Sequence, residues 1–489
     1  MKYFPTLLRP LSACLLLALL AAATPAQAVD YSWQSAGNGN WSDAANWSPA
    51  SPAGPPDGAG DSFVTPTAFG SLRYDVDAPT VFDWTYDASS SLTTLALNGG
   101  TPVTLTILNN LTKSGSGNLT FRNSGGSAQQ LTVDVQGEVI VNEGELQFGV
   151  LGGTNYIEAF QADSATVNGG VLNLRVGETA GTATIEGALT LTGNGQVFLR
   201  DSSGSGTLAV GSLVSASSSA EVTVNNFGST AATGLLQLNN GSGSADYAGV
   251  LSDGTSANPP GTLNVEKNNA GSQELSGADN EYSGTTTVNG GTLLVSGRHD
   301  GGGEYIVNSG GTLAGDNGGN LEATANIVTA NDAGITLNDG AMLAMGSTLD
   351  ETGIFSAALD GGVMDISGAV GGANTGALVF DLAAIGSSDQ FLLLSGSLEI
   401  GNGELEFVDF AFTALAGIEE GDYVLFDTSE AITGSLGSNL TGQFGLWEGT
   451  LGFADGGNDL VLSVVLVPEP STGALLLGLG LLVLRRRRS

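Results

Sequence analysis

The chain has 489 residues, 75 of them glycine, with 13% charged and 41% hydrophobic residues. That apolar content excludes a disordered chain, and the bias to Gly, Thr, Val, Asn and Ser predicts strands and tight turns rather than helices. The net charge of -36 repels nucleic acid and anionic polymers, so no nucleic-acid partner is expected.

Lys2 and Arg9 open the chain, an apolar stretch at 11–23 follows, and Ala26-Gln27-Ala28 closes it as a small-x-small cleavage site. This order predicts a signal peptide over residues 1–28, removed by signal peptidase, with the mature chain starting near Val29. Leu11-Ser12-Ala13-Cys14 also fits a lipoprotein box, but here the apolar stretch follows the cysteine instead of preceding it. Cys14 is the only cysteine, so the mature chain is expected to hold together by packing and backbone pairing alone.

Residues 29–60 contain Trp33, Trp41 and Trp47, followed by a Pro- and Gly-rich run at 48–60 that reads as a loop. Tryptophans can stack on sugar rings or cover the open end of a stack of strands. The cap is the first reading and glycan stacking the second.

Across residues 61–377 one pattern recurs: apolar, Asn, any residue, Gly, any residue, apolar. It stands at Val141-Asn142-Glu143-Gly144-Glu145-Leu146, at Val167-Asn168-Gly169-Gly170-Val171-Leu172, at Val288-Asn289-Gly290-Gly291-Thr292-Leu293 and at Leu337-Asn338-Asp339-Gly340-Ala341-Met342. Val307-Asn308-Ser309-Gly310-Gly311-Thr312-Leu313 carries one inserted residue. Each unit reads as strand, turn, strand, with Asn and Gly supplying left-handed backbone angles. Spacings of about 20 to 30 residues suit the rungs of a parallel β-solenoid, whose stacked asparagines can form side-chain ladders. Hairpins of a β-sandwich are the other reading, and they explain fewer of the copies.

Residues 378–466 change style. Asp389-Gln390-Phe391-Leu392-Leu393-Leu394, Gly421-Asp422-Tyr423-Val424-Leu425-Phe426 and Asp459-Leu460-Val461-Leu462-Ser463-Val464 are longer, more aromatic strands, read as a C-terminal β-subdomain or cap. Residues 467–489 then hold Pro468-Glu469-Pro470, an apolar run at 474–484, and Arg485, Arg486, Arg487 and Arg488. Such a run inserts with its arginines on the cytoplasmic side, as a transmembrane sorting helix, although it is short for a permanent span of ~20 residues.

This tripartite tail resembles the PEP-CTERM sorting signal. The resemblance implies a Gram-negative, exopolysaccharide-making host. It also implies an exosortase-type membrane enzyme that cuts near Pro468, Glu469 and Pro470, and a product on the outer surface or in the matrix. The stretch Tyr282-Ser283-Gly284-Thr285-Thr286-Thr287-Val288-Asn289-Gly290-Gly291-Thr292-Leu293 is similar to the passenger-associated, or autotransporter-associated, β-strand repeat. That resemblance implies an all-β, right-handed parallel β-helix on an exported protein. The chain ends in the sorting tail instead of a membrane β-barrel, so self-translocation is not implied.

Catalytic chemistry finds little support. The one histidine, His299, sits in Gly297-Arg298-His299-Asp300-Gly301-Gly302-Gly303, which reads as an exposed flexible loop with no nucleophile elbow. No cofactor is expected, and no Cys/His zinc site can form in the mature chain. Parallel β-helices also host polysaccharide lyases and glycosidases that use paired acids; Asp332, Asp339 and Asp360 are the candidates, yet any of them can equally be a solvated turn residue. Asp455, Asn458 and Asp459, in Asp455-Gly456-Gly457-Asn458-Asp459, resemble half of a glycine-rich calcium repeat and are weak calcium candidates.

The expected function is therefore a non-enzymatic, exosortase-sorted surface or matrix protein, structural or adhesive, associated with extracellular polysaccharide or biofilm and only transiently anchored in the membrane. The alternatives are a polysaccharide-cleaving β-helix enzyme and a self-associating surface-layer component.

Overall fold

The computed structural model describes residues 28–49, 55–56, 60–64, 71–96, 101–123, 130–149, 157–176, 181–199, 205–224, 233–254, 261–317, 325–346, 352–372 and 374–467. The described strands form three sheets of 25, 9 and 7 strands. Apart from short 3-10 turns, the described residues carry no helix.

Parallel pairing between successive coils builds the stack. Val139 lies beside Ala165, Ala165 beside Leu189, and Leu189 beside Leu213. Coil length varies, from 19 residues between Val288 and Val307 to 36 between Ile354 and Gln390. The described residues are thus all-β and wound as a parallel β-solenoid. Alternation within each strand explains the core: Leu131, Val133 and Val135 point in, as do Val139 and Val141, while Thr132, Asp134 and Ile140 do not. Stacked columns such as Leu119, Leu146, Leu172, Val197 and Val222 fill the interior from coil to coil.

The long strands turn a corner part-way, where register shifts recur between Val135 and Glu138, Ala162 and Ala165, and Ile185 and Ala188. Gly137 and Gly211 sit at these corners. A Cβ on Gly137 would overlap the Asn109 carbonyl, and one on Gly211 the Glu186 carbonyl, so the coil below leaves room only for glycine.

The largest sheet runs the length of the stack. One flanking sheet runs from Gly39–Asn40 to Val250–Ser252, and a second from Ser244–Tyr247 to Phe410–Ala414. Two buried carboxamides satisfy main-chain groups near this changeover, one on a strand of the largest sheet and one on the last strand of the first flanking sheet. Gln273 hydrogen-bonds Leu213, and the Asn280 Oδ1 accepts from the Leu251 N–H at 3.0 Å.

Both ends of the stack are plugged by aromatic rings. At the start, Asp30–Trp33 pairs antiparallel with Trp47–Ser48, and Trp47 packs edge-on against Trp33 and Trp41 at centroid distances of 5.1 and 4.9 Å. Trp84 stacks on Phe63 beneath them at 4.3 Å. At the far end, parallel coiling continues past residue 378 through Leu378–Leu382 and Gln390–Leu405. Antiparallel pairing begins with Gly421–Thr428 against Asp459–Leu466, and Trp447–Ala454 joins Thr441–Phe444 to the same sheet. Phe412 lies 5.4 Å from Phe407 and 5.5 Å from Phe444, closing that end.

Candidate functional site

Amide side chains form hydrogen-bonded runs from coil to coil along one turn of the stack. Asn338 donates to Asn308 at 2.9 Å, Asn308 to Asn289 at 2.8 Å, Asn289 to Asn268 at 3.0 Å, and Asn268 to Asn239 at 3.0 Å. A second run follows the same turn nearer the N-terminus: the Thr192 hydroxyl donates to Asn168, Asn168 to Asn142, and Asn142 to Ser114, at 2.9, 2.8 and 3.1 Å. Five of these asparagines are those of the recurring sequence pattern. Each follows a buried Val or Leu that ends a core strand, so equal spacing from that anchor stacks the amides. The left-handed angles of the turns fall on glycines such as Gly144, Gly310 and Gly340, not on the ladder asparagines. The expectation that Asn shares this task holds at Asn269, next to Asn268 on the ladder turn, at φ 61°, but not at the ladder asparagines, whose side chains hydrogen-bond from coil to coil.

Beneath this turn lie two buried ammonium groups. Lys113 donates to the carbonyls of Gly115 and Glu143, the latter at 2.9 Å, and sits 5.5 Å from the Tyr86 ring centroid. Lys267 donates to the carbonyls of Asn268, Asn269 and Gly290 at 2.6, 3.0 and 3.0 Å. Each ties its own turn to that of the next coil. Burial pushes the Lys267 ammonium down to about 8. Both lysines occupy inward positions of alternating strands, in Leu111-Thr112-Lys113 and Val265-Glu266-Lys267, and that misplaced charge is the sequence signal that marks them.

The three N-terminal tryptophans are buried in the plug, and the Trp47 indole N–H donates to the Trp41 carbonyl at 2.9 Å. Their faces are taken up by other rings, so no sugar can stack on them.

His299 is also buried, which corrects the exposed-loop expectation. Its ring stacks on Tyr282 with centroids 3.9 Å apart. Nε2 lies 2.7 Å from the Tyr282 carbonyl and Nδ1 lies 2.6 Å from the Tyr305 hydroxyl. A carbonyl can only accept, so Nε2 carries the hydrogen and Nδ1 accepts from Tyr305. Burial pushes the imidazole down to about 4, leaving a neutral core residue.

Asp332, Asp339 and Asp360 are exposed, but they do not converge. Asp332 and Asp360 lie on neighbouring coils, joined by a main-chain hydrogen bond of 3.1 Å, while Asp339 lies on the ladder turn. The carboxylate most displaced from ordinary behaviour is Asp389, which accepts from the Gly353 and Asp381 N–H groups, both at 2.7 Å. Burial, then the nearby Asp381 and Asp316 charges, push it up to about 7. Asp455, Asn458 and Asp459 form a tight turn, with Asp459 in register with Asp427. Burial, then Asp427 and Asp455, push Asp459 upward. Among the described residues no group of three His, Cys, Asp or Glu side chains gathers to hold a metal ion. A shallow groove of about 290 Å³ lies on the second flanking sheet, lined by Thr292, Thr312, Ala314, Met342 and Ala344, with Asp381 at one end.

Pro468, Glu469, Pro470, Arg485, Arg486, Arg487, Arg488 and Ala26 lie outside the described residues; Ala28 is described and exposed. Residues 466–489 match the PEP-CTERM protein-sorting motif. Residues 111–148 and 265–295 match the passenger-associated-transport-repeat family, and Lys113 and Lys267 are each the third residue of a match. The chain carries passenger-associated-transport repeats and a PEP-CTERM sorting motif. No curated protein and no solved structure matches it. The sorting motif implies an exported, exosortase-sorted protein of the Gram-negative cell envelope or surface. Among the described residues no helix is long and apolar enough to cross a membrane.

Proposed function

We propose that the mature chain is a non-catalytic spacer and adhesive element of the cell surface or matrix, lodged among hydroxyl-rich extracellular polysaccharide. In this reading the leader is removed, the solenoid winds right-handed, and the sorting tail anchors the chain only until it is cut. The exposed amide ladder carries the proposal. Its carboxamides repeat from coil to coil along one edge, and they can donate to and accept from sugar hydroxyls. The charge of -36 favours a neutral polymer over an acidic one. Aromatic plugs at both ends suit a single spacer better than an end-to-end polymer. Divalent cations, calcium included, would act by screening the acidic surface.

Co-sedimentation of the secreted chain with neutral insoluble polysaccharide tests this reading. Binding that weakens when Asn268 and Asn289 are both replaced by alanine supports it. Binding that is absent, or indifferent to the pair, removes the ladder from the account.

A further inference from the structure

The last hairpin gathers exposed apolar side chains at the point where the chain leaves the fold. Phe444 pairs with Trp447 across a two-residue turn, Gly445-Leu446, with Gly445 at φ 63°. Trp447 lies beside Leu466 and Glu448 beside Val465, and the Val467 N–H donates to the Leu446 carbonyl at 2.9 Å. Leu446, Val465 and Leu466 are 61%, 50% and 48% exposed, and since successive strand residues face opposite ways, apolar side chains stand on both faces of this hairpin edge. Trp447 beside them is half-buried.

Six residues, Pro468-Glu469-Pro470-Ser471-Thr472-Gly473, separate Val467 from the apolar run at 474–484. Fully extended, they span at most about 22 Å. Once the run enters a bilayer, this edge therefore lies within that distance of the lipid surface. We infer that Leu446, Val465 and Leu466 rest on the lipid surface and hold Pro468-Glu469-Pro470 at headgroup level, where a membrane-embedded sorting enzyme can reach it; the inference rests on the sorting-tail reading. Glu420, which accepts from the Leu466 N–H at 3.1 Å, and Glu448 flank the edge, so the contact is apolar and shallow and suits zwitterionic lipid better than anionic lipid.

The mature chain has no cysteine, so a single introduced thiol can carry a spin label. The full mature chain, tail included, is reconstituted into phosphatidylcholine vesicles with labels at Leu446→Cys, Val465→Cys or the distant, exposed Ser91→Cys. Flotation reports insertion of the tail, and circular dichroism confirms the β fold of each variant. The expected result is a shift of the labels at 446 and 465 toward collision with lipid-dissolved oxygen and away from a water-soluble nickel chelate, with no shift at 91. Flotation with an aqueous label at 446 overturns the lipid contact and leaves the sorting reading intact. Failure to float overturns both.

Discussion

The carboxamide of Gln273 forms both hydrogen bonds to the main chain of Leu213, 60 residues away: Nε2 donates to its carbonyl at 2.9 Å and Oε1 accepts from its N–H at 3.2 Å. A side chain thus takes the place of a strand beside Leu213, on the part of Ser205–Val214 that the next strand, Thr233–Leu238, does not pair with. Replacing Gln273 by leucine keeps the volume but orphans both groups, and about 3 kcal/mol of stability should be lost. Gln273→Glu should cost more, because it sets a carboxylate oxygen against the Leu213 carbonyl. Urea denaturation of the variants checks the order.

The ladder should behave as a coupled array. Asn289→Ala removes the link between Asn268 and Asn308 and should cost about 1 kcal/mol at this exposed position. Adding Asn308→Ala should cost less than a second independent loss, because the bond between the two is already gone. A double-mutant cycle measures the coupling.

Lys267→Met should be the more damaging change on the same turn. It leaves the carbonyls of Asn268, Asn269 and Gly290 without their shared donor, and a loss of about 2 kcal/mol is expected in thermal unfolding.

Two groups couple stability to pH with opposite sign. The folded-state value of His299 lies below its unfolded value, so its contribution is complete above about pH 6.5 and is lost as pH falls toward about 4, by about 3 kcal/mol at most. Asp389 is raised to about 7, so its contribution is complete below the ordinary carboxylate value and is lost as pH rises through 7. The two slopes oppose each other between pH 4 and 7. Asp389→Asn should therefore expose the histidine slope, with the denaturation midpoint rising from pH 4 to 6.5 more steeply than in the parent chain.

The coil rhythm was readable from the sequence because the turn repeats its Asn and Gly at a fixed offset from a buried aliphatic residue. The buried state of His299 was not readable, for a physical reason. Its flanking glycines suggest a loose loop, but a Cβ on Gly301 would overlap the Tyr282 carbonyl and one on Gly297 the Gly277 carbonyl. Glycine there marks close contact between coils, which a single sequence cannot distinguish from freedom. Gln273 was hidden likewise, since its partner lies two coils away and no local pattern announces the contact. The lysine clamps were more accessible: a charge at an inward position of an alternating strand demands a partner.

The most direct test of the account is product release. The mature chain is incubated with the host's own exopolysaccharide in the presence of calcium, and new reducing ends and unsaturated sugars are assayed beside a heat-denatured control. A spacer that holds polysaccharide without cutting it should release nothing above that control. Sustained release would contradict the account and move attention from the amide ladder to the carboxylates.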